Sequence, residues 1–302
     1  MPSRTTDQTN RAAEENWQML GYRTNPMRFL RDWDEHERRD LLNKVGVDPL
    51  QVMNTIRWGS RLVLIVGDHG SGKTHYWQTT GLEYNDSIDA EDRVLLIGYQ
   101  DLVPFRPSEK DFFPSCFTQM ICAKVSSALG IDGAETNRHF DAMRYWTELA
   151  KSINESGQSS RLIVLIDGLH EYLEYDLKLR DRAFAELRGC MLAIISISVP
   201  SICVRLFVTP SLLQELRQAL PTPRDHRRFE TLELNWTAKD IVELLEERLK
   251  SCQKDEYIAS PLLPRLFKDS TYELFEKWLS QGRTPECAMD ALDQLVASLG
   301  QS

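Results

Sequence analysis

Apolar residues along this chain fall into short unbroken runs, separated by stretches in which they recur every three or four positions. The clearest run is Arg61-Leu62-Val63-Leu64-Ile65-Val66, bounded by Gly59 and Gly67. A short run without alternation is the pattern of a parallel strand covered on both faces. Four further runs read the same way: Arg93–Gly98, Leu162–Ile166, Val204–Val208 and Leu232–Leu234. Helical spacing lies between them, near Lys73–Gly81, Ser115–Leu129, Arg138–Glu155, Asp181–Ile195 and Ser211–Leu220. Strands alternating with helices predict an α/β fold with a doubly wound, mostly parallel sheet.

After Glu233 the strand pattern stops. Thr237 stands before a helical repeat of Ile241, Leu244, Leu245 and Leu249, with Asp240 three residues on, a near capping box. Further helices are predicted at Tyr272–Leu279 and at Pro285–Leu299, the second opening on proline. The expected division is a polar tail over 1–16, a core with an N-terminal helical segment over 17–234, and a small helical domain over 235–302. The greasiest stretch, Met191–Val208, is interrupted by Ser196, Ser198, Pro200, Ser201 and Arg205, so it reads as a buried helix and strand and not as a membrane span.

A length of 302 residues suits about two compact units. With 42% hydrophobic and 27% charged residues, the composition is that of an ordinary globular protein and excludes a disordered, collagen-like or coiled-coil chain. The net charge of −9 argues against coating nucleic acid through bulk charge. The Arg-rich spots, Arg38-Arg39 and Arg227-Arg228, are too short for a nucleic-acid groove. None of the six cysteines forms a C-x-x-C pair, and the first sixteen residues lack the apolar core of a secretory signal, so a reduced, cytoplasmic location is the default. The six histidines have no zinc-hydrolase spacing, and no G-x-S-x-G elbow is present.

The strongest chemical signal is Gly67-Asp68-His69-Gly70-Ser71-Gly72-Lys73-Thr74, followed by His75, directly after the first apolar run. It matches G-x-x-x-x-G-K-[ST] between a strand and a helix. The glycines let main-chain N–H groups turn inward on an anion. Lys73 supplies an ammonium to the β- and γ-phosphates, Thr74 a hydroxyl for Mg²⁺, and the next helix its positive end. A second signal is the apolar run ending in Asp167, whose carboxylate would complete a magnesium site begun by Thr74.

Asp167-Gly168-Leu169-His170-Glu171 resembles the D-G-h-D-E ending of the Walker B strand in STAND-type signalling NTPases, relatives of the AAA+ ATPases. The resemblance implies ATP and Mg²⁺ as ligands, parallel strand order 5-1-4-3-2 and a helical lid from about Asn235. It makes Glu171 the leading water activator. His170 stands where the family has Asp, which leaves three alternatives: Glu171 acting alone, His170 assisting, or slow hydrolysis. Arg205–Pro210 resembles the sensor-1 strand, so Thr209 either faces the γ-phosphate or caps the next helix. Arg224, Arg227 and Arg228 lie where an arginine finger is found in AAA+ proteins, or else form a solvated basic loop. Gly282-Arg283-Thr284-Pro285 resembles the sensor-2 region, with Glu286 where the family arginine follows the proline and Arg283 as a substitute. Thr24-Asn25-Pro26-Met27 resembles the segment that packs near adenine, with Met27 in place of an aromatic.

Three classes of function follow from the resemblance. The first is an ATP-hydrolysing switch that binds ATP and ADP and assembles with itself or with separate partner chains, as in bacterial signalling or defence. The second is a DNA-associated helper ATPase of replication or transposition type, which the acidic balance disfavours. The third is a nucleotide-binding scaffold with little hydrolysis, favoured by His170 and Glu286.

Overall fold

The computed structural model describes residues 14–28, 36, 41, 45, 48, 52–85, 92–102, 121, 123–127, 146–147, 151, 161–174, 180–196, 202–220, 229–254, 262–267 and 271–299. Its described residues divide into two compact units. One comprises those within Gln51–Asp68 and Lys73–Leu234; the other comprises those within Met1–Leu50, His69–Gly72 and Asn235–Ser302.

The first unit is built on a sheet of β1 (Leu62–Val66), β2 (Asp92–Ile97), β3 (Arg161–Ile166), β4 (Ile202–Val208) and β5 (Glu230–Glu233). The strand order is β2-β3-β4-β1-β5 and every pairing is parallel. This is the order that the family resemblance implies, and the strands fall within one or two residues of the predicted runs. Helices flank the sheet: α1 (Val52–Trp58), α2 (Lys73–Asn85), α3 (Tyr99–Leu102), α4 (Leu169–Glu174), α5 (Arg180–Ser196) and α6 (Pro210–Ala219). The described residues within Ser115–Leu129 and Arg138–Glu155 are helical at 121, 123–127, 146, 147 and 151; the remainder of those two predictions lies outside the described residues.

Unbroken apolar runs form these strands because both faces are covered. Leu62, Leu64, Val66, Val164, Ile166, Leu206 and Val208 share one core with Leu187, Met191 and Ile194 of α5 and with Leu216 of α6. On the opposite phase, Val63, Ile65, Ile163, Leu165 and Phe207 are buried as well. The exception on that face is Arg205, in register with Val63 on one side and Leu165 on the other and fully buried. Its guanidinium donates to the carbonyls of Ile56 (2.8 Å), Ser60 (2.6 Å), Gly59 (3.3 Å), Arg61 (3.4 Å) and Val204 (3.1 Å). These bonds close the corner between α1 and β1 and satisfy a buried cation with main-chain dipoles. Burial, the largest influence, pulls the Arg205 proton affinity below its ordinary range.

The second unit contains α7 (Ala238–Cys252), a 3₁₀ turn (Leu263–Leu266), α8 (Thr271–Leu279) and α9 (Pro285–Leu299). Thr237 caps α7 as the spacing predicts, its hydroxyl accepting from the Asp240 N–H while Asp240 Oδ2 accepts from the Thr237 N–H. Ile241, Leu245 and Leu249 pack with Phe275, Leu279, Leu292 and Val296. Trp17, Tyr22, Met27, Leu41 and Val45 enter the same core. Polar bonds fix this arrangement. Asp293 Oδ1 accepts from Trp17 Nε1 (3.0 Å) and Asn25 Nδ2 (2.8 Å), and Arg248 Nε donates to Pro26 O (2.7 Å). Full burial lowers Arg248 to about 10. Among the described residues no helix is long and apolar enough to cross a membrane.

Candidate phosphate-binding site

The glycine-rich loop leaves the carboxyl end of β1, where Gly67 N–H donates to Val208 O at 3.1 Å and so ties the loop to the neighbouring strand. Gly70 (φ +77°) and Gly72 (φ +89°) are left-handed, a conformation that strains any residue with a Cβ. Successive turns of this kind aim main-chain amides into a concavity suited to an anion. Lys73 opens α2 and is buried to 7% exposure. Its Nζ donates to Gly67 O (2.8 Å) and Asp68 O (2.7 Å), which draws the ammonium across the start of the loop.

Asp167 stands one residue past β3, its N–H bonded to Ile97 O at 2.9 Å. Thr74 Oγ1 donates to Asp167 Oδ2 at 2.8 Å, so the two proposed magnesium ligands are neighbours. Burial, the dominant influence, raises the proton affinity of Asp167, and the hydrogen bonds from Thr74 and the Gly168 N–H oppose that rise. Gly168 turns the chain into α4 at φ +80°; a Cβ there would stand 2.6 Å from Tyr99 Cβ and 2.9 Å from Tyr99 N. The next two polar residues meet each other. His170 Nδ1 and Glu171 Oε2 are 2.8 Å apart, with Glu171 nearly half exposed. That hydrogen bond is the main reason the His170 proton affinity is raised.

The tip of the loop, His69–Gly72, belongs to the helical unit. There Trp236 Nε1 donates to Ser71 O at 2.8 Å, and the Glu286 N–H donates to Gly70 O at 3.3 Å. A Cβ added to Gly70 would lie 2.5 Å from Glu286 Oε2. His69 Nε2 stands 3.9 Å from the same carboxylate. Ser71 Oγ is buried with no hydrogen-bond partner. His75, in the first turn of α2, sets its ring edge-on to Tyr76 at 5.6 Å. Sequence reasoning placed Glu286 only at the sensor-2 position that the resemblance implies, and it assigned no loop contact to Trp236, which reaches Ser71 from far along the chain.

Thr209 is the N-cap of α6, its hydroxyl accepting from Leu212 N–H at 3.3 Å and lying 3.0 Å from Ser211 Oγ. Arg283 stacks on Trp278, 5.0 Å from the ring centre, and reaches Gln281 Oε1 at 3.4 Å. Asn25 is buried, its Oδ1 accepting from Met27 N–H at 2.8 Å. Arg224, Arg227 and Arg228 lie outside the described residues.

The donor set fits a phosphate and a hard cation. Within the sheet unit the buried Lys73 ammonium suits an anion, and the Thr74–Asp167 hydroxyl–carboxylate oxygen pair suits a magnesium ion that keeps most of its water. Among the described residues no cluster of three or more His, Cys, Asp or Glu side chains could hold a metal ion. Sheet order, loop and carboxylate together define an α/β P-loop NTPase fold.

No family model and no curated protein matches the chain. Among solved structures it is similar to the ORC2 protein of Aeropyrum pernix in its ADPNP–ADP complexes, with a TM-score of 0.45, 14% identity, and coverage of 82% of this chain and 60% of that one. It is also similar to the ADP form of the same protein, with a TM-score of 0.46, 14% identity, and coverage of 88% and 67%. The chain thus spans 60% of the length of the first of these structures.

Proposed function

We propose that this protein is a magnesium-dependent ATP-binding protein of AAA+/STAND type that hydrolyses ATP slowly and couples its nucleotide state to assembly or to a conformational switch. The observation carrying this reading is the 2.8 Å bond from Thr74 to Asp167 at the carboxyl ends of β1 and β3. Ligands of open parallel sheets lie at that end of the strands. In this reading the amides of the loop and Lys73 bind the phosphates, while Thr74 and Asp167 hold the cation. Bound magnesium supplies electrostatic stabilisation of the charge on the transferred phosphoryl group. Glu171 is the group that takes a proton from the attacking water, and Thr209, one residue past β4, would sense the γ-phosphate only by giving up its cap on α6. The notion of a switch, the partners and a cytoplasmic setting rest on the family resemblance.

A scaffold with little hydrolysis is the second reading, and one observation favours it: the Glu171 carboxylate is engaged by His170 at 2.8 Å. Nucleotide binding and turnover of Lys73→Ala and Glu171→Gln test both. Loss of ATP binding in the first variant supports the site, and unchanged affinity removes it. If wild-type turnover is measurable and Glu171→Gln lowers it about a hundredfold, within the usual range for a general base, the hydrolase reading stands. Equal and measurable rates in the two proteins remove only Glu171 as the base, and wild-type turnover too slow to measure beside intact ATP binding leaves the scaffold.

A further inference from the structure

We propose that Trp58, with Arg57 and Arg161 beside it, is a stacking platform for single-stranded nucleic acid at the amino edge of the sheet. The proposal is independent of the nucleotide site. All its residues belong to the sheet unit. The strands are parallel, so their starts lie at the edge opposite Gly67 and Asp167. Five residues of β1 separate the two edges by roughly 16 Å.

Trp58 is the last residue of α1. Tryptophan is among the well-buried side chains on average, yet Trp58 is 67% exposed. Its position is fixed through the main chain. Gly59 closes the turn so tightly that an added Cβ would stand 2.5 Å from Thr55 O and 2.9 Å from Val63 Cγ2. The fully buried Arg205 guanidinium then holds the carbonyls of Gly59 and Ser60. The indole is thus presented to water on a rigid corner, and little ordering is left to oppose binding.

The surroundings of the ring are cationic. The Arg57 guanidinium lies 5.3 Å from the ring centre, and that of Arg161, the first residue of β3, lies 5.0 Å from it. Arg61 immediately precedes β1, and the exposed Arg93 is the second residue of β2. Across this turn and the strand starts, Arg57, Arg61, Arg93 and Arg161 stand against the acids Asp92 and Glu230. Glu230 Oε2 accepts from the Ser60 N–H at 3.0 Å. Arg205 adds a buried charge that water screens poorly. The edge is therefore positive in a chain whose net charge is −9.

A positive edge by itself suits any polyanion, an acidic polypeptide included. The exposed indole decides between them. A carboxylate gains nothing from the negative face of an aromatic ring. A base presents a flat π-surface that stacks on tryptophan or on a guanidinium plane while its phosphates meet the arginines. Bases in a duplex are already stacked on one another, so the strand that fits is single.

Fluorescence anisotropy tests this, with the full chain titrated into a labelled oligothymidylate of about 20 nucleotides, longer than one binding site. The expected result is affinity that falls with salt at a log–log slope of about −2 to −3, the value for three or four phosphate contacts. Trp58→Ala is expected to bind about tenfold more weakly while melting near the wild-type temperature. Trp58→Leu, apolar without a π-face, is expected to lose as much, and Trp58→Phe to recover part of the loss. Arg161→Gln is expected to flatten the salt slope by about 0.7. Lys73→Ala, the same charge loss at the opposite edge, separates this surface from the phosphate loop and is expected to bind the oligonucleotide as wild type does. Absence of binding by the wild type, or wild-type affinity in both Trp58→Ala and Trp58→Leu, overturns the proposal. So does loss of binding in Lys73→Ala, which places the strand in the phosphate loop. Polyglutamate displacing the label as well as unlabelled oligothymidylate does also overturns it, in favour of an acidic polypeptide.

Discussion

Thr74 Oγ1 and Asp167 Oδ2 are joined by a 2.8 Å hydrogen bond that links the first turn of α2 to the end of β3 across 93 residues of chain. Neither residue is unusual by itself. Their meeting follows from β1 and β3 running parallel with β4 between them, which brings both strand ends to one edge of the sheet. Disrupting a group that orients a bound cation costs about 10–100-fold in metal affinity or activity. Asp167→Asn is expected to lower magnesium-dependent ATP affinity by about that factor, with metal-free binding held near wild type. Calorimetry with and without EDTA checks this; equal loss under both conditions excludes a cation at the pair.

Gly168 meets two constraints at once, a left-handed φ of +80° and the backbone of Tyr99 within 2.9 Å of any added Cβ. Gly168→Ala is expected to destabilise the fold by about 2–4 kcal/mol, from backbone strain and overpacking together. Urea denaturation gives the figure. A change below about 0.5 kcal/mol, the size typical of a neutral surface substitution, contradicts the geometry.

Arg205 satisfies carbonyls from α1 and from both sides of the α1–β1 corner. Arg205→Met removes every one of those donors and is expected to cost about 3 kcal/mol or more, because the acceptors remain buried. Arg205→Lys keeps the charge but not the planar fork, so it recovers only part of the loss. Full recovery by lysine in the same denaturation series would show that charge alone matters.

The His170–Glu171 bond has a definite pH signature. It raises the proton affinity of His170 in the folded protein above its ordinary value of 6.5. A raised histidine contributes stability that is complete below the unfolded value and is lost as pH climbs through the folded one. The stability difference between wild type and His170→Gln is therefore expected to be larger at about pH 6 than at about pH 8. Thermal melts across that window measure it, and a difference that grows with pH refutes the assignment.

Most of the sheet was legible in the sequence because burial on both faces erases alternation, and Arg61–Val66 and Leu162–Ile166 show that erasure plainly. The loop was legible because its conformations demand glycine at Gly70 and Gly72. The Thr237–Asp240 box was legible because a cap acts over three residues. What stayed hidden acts through distant contacts. Trp236 meets Ser71 over 165 residues, and Trp17 joins Asp293 over 276, so neither leaves a periodic trace. Arg205 was hidden differently, since a charge inside a continuous apolar strand looks the same on paper whether it faces water or a ring of carbonyls.

The central place of β1 also bears on synthesis. Its two partners are β4 and β5, and Leu234 N–H still has to reach Val66 O at 2.7 Å before its far edge is complete. The ribosome releases the glycine-rich segment long before either partner exists. A truncated product stopping ahead of Ile202 carries the whole motif on a strand with both edges bare, a template for aggregation and not a working cradle.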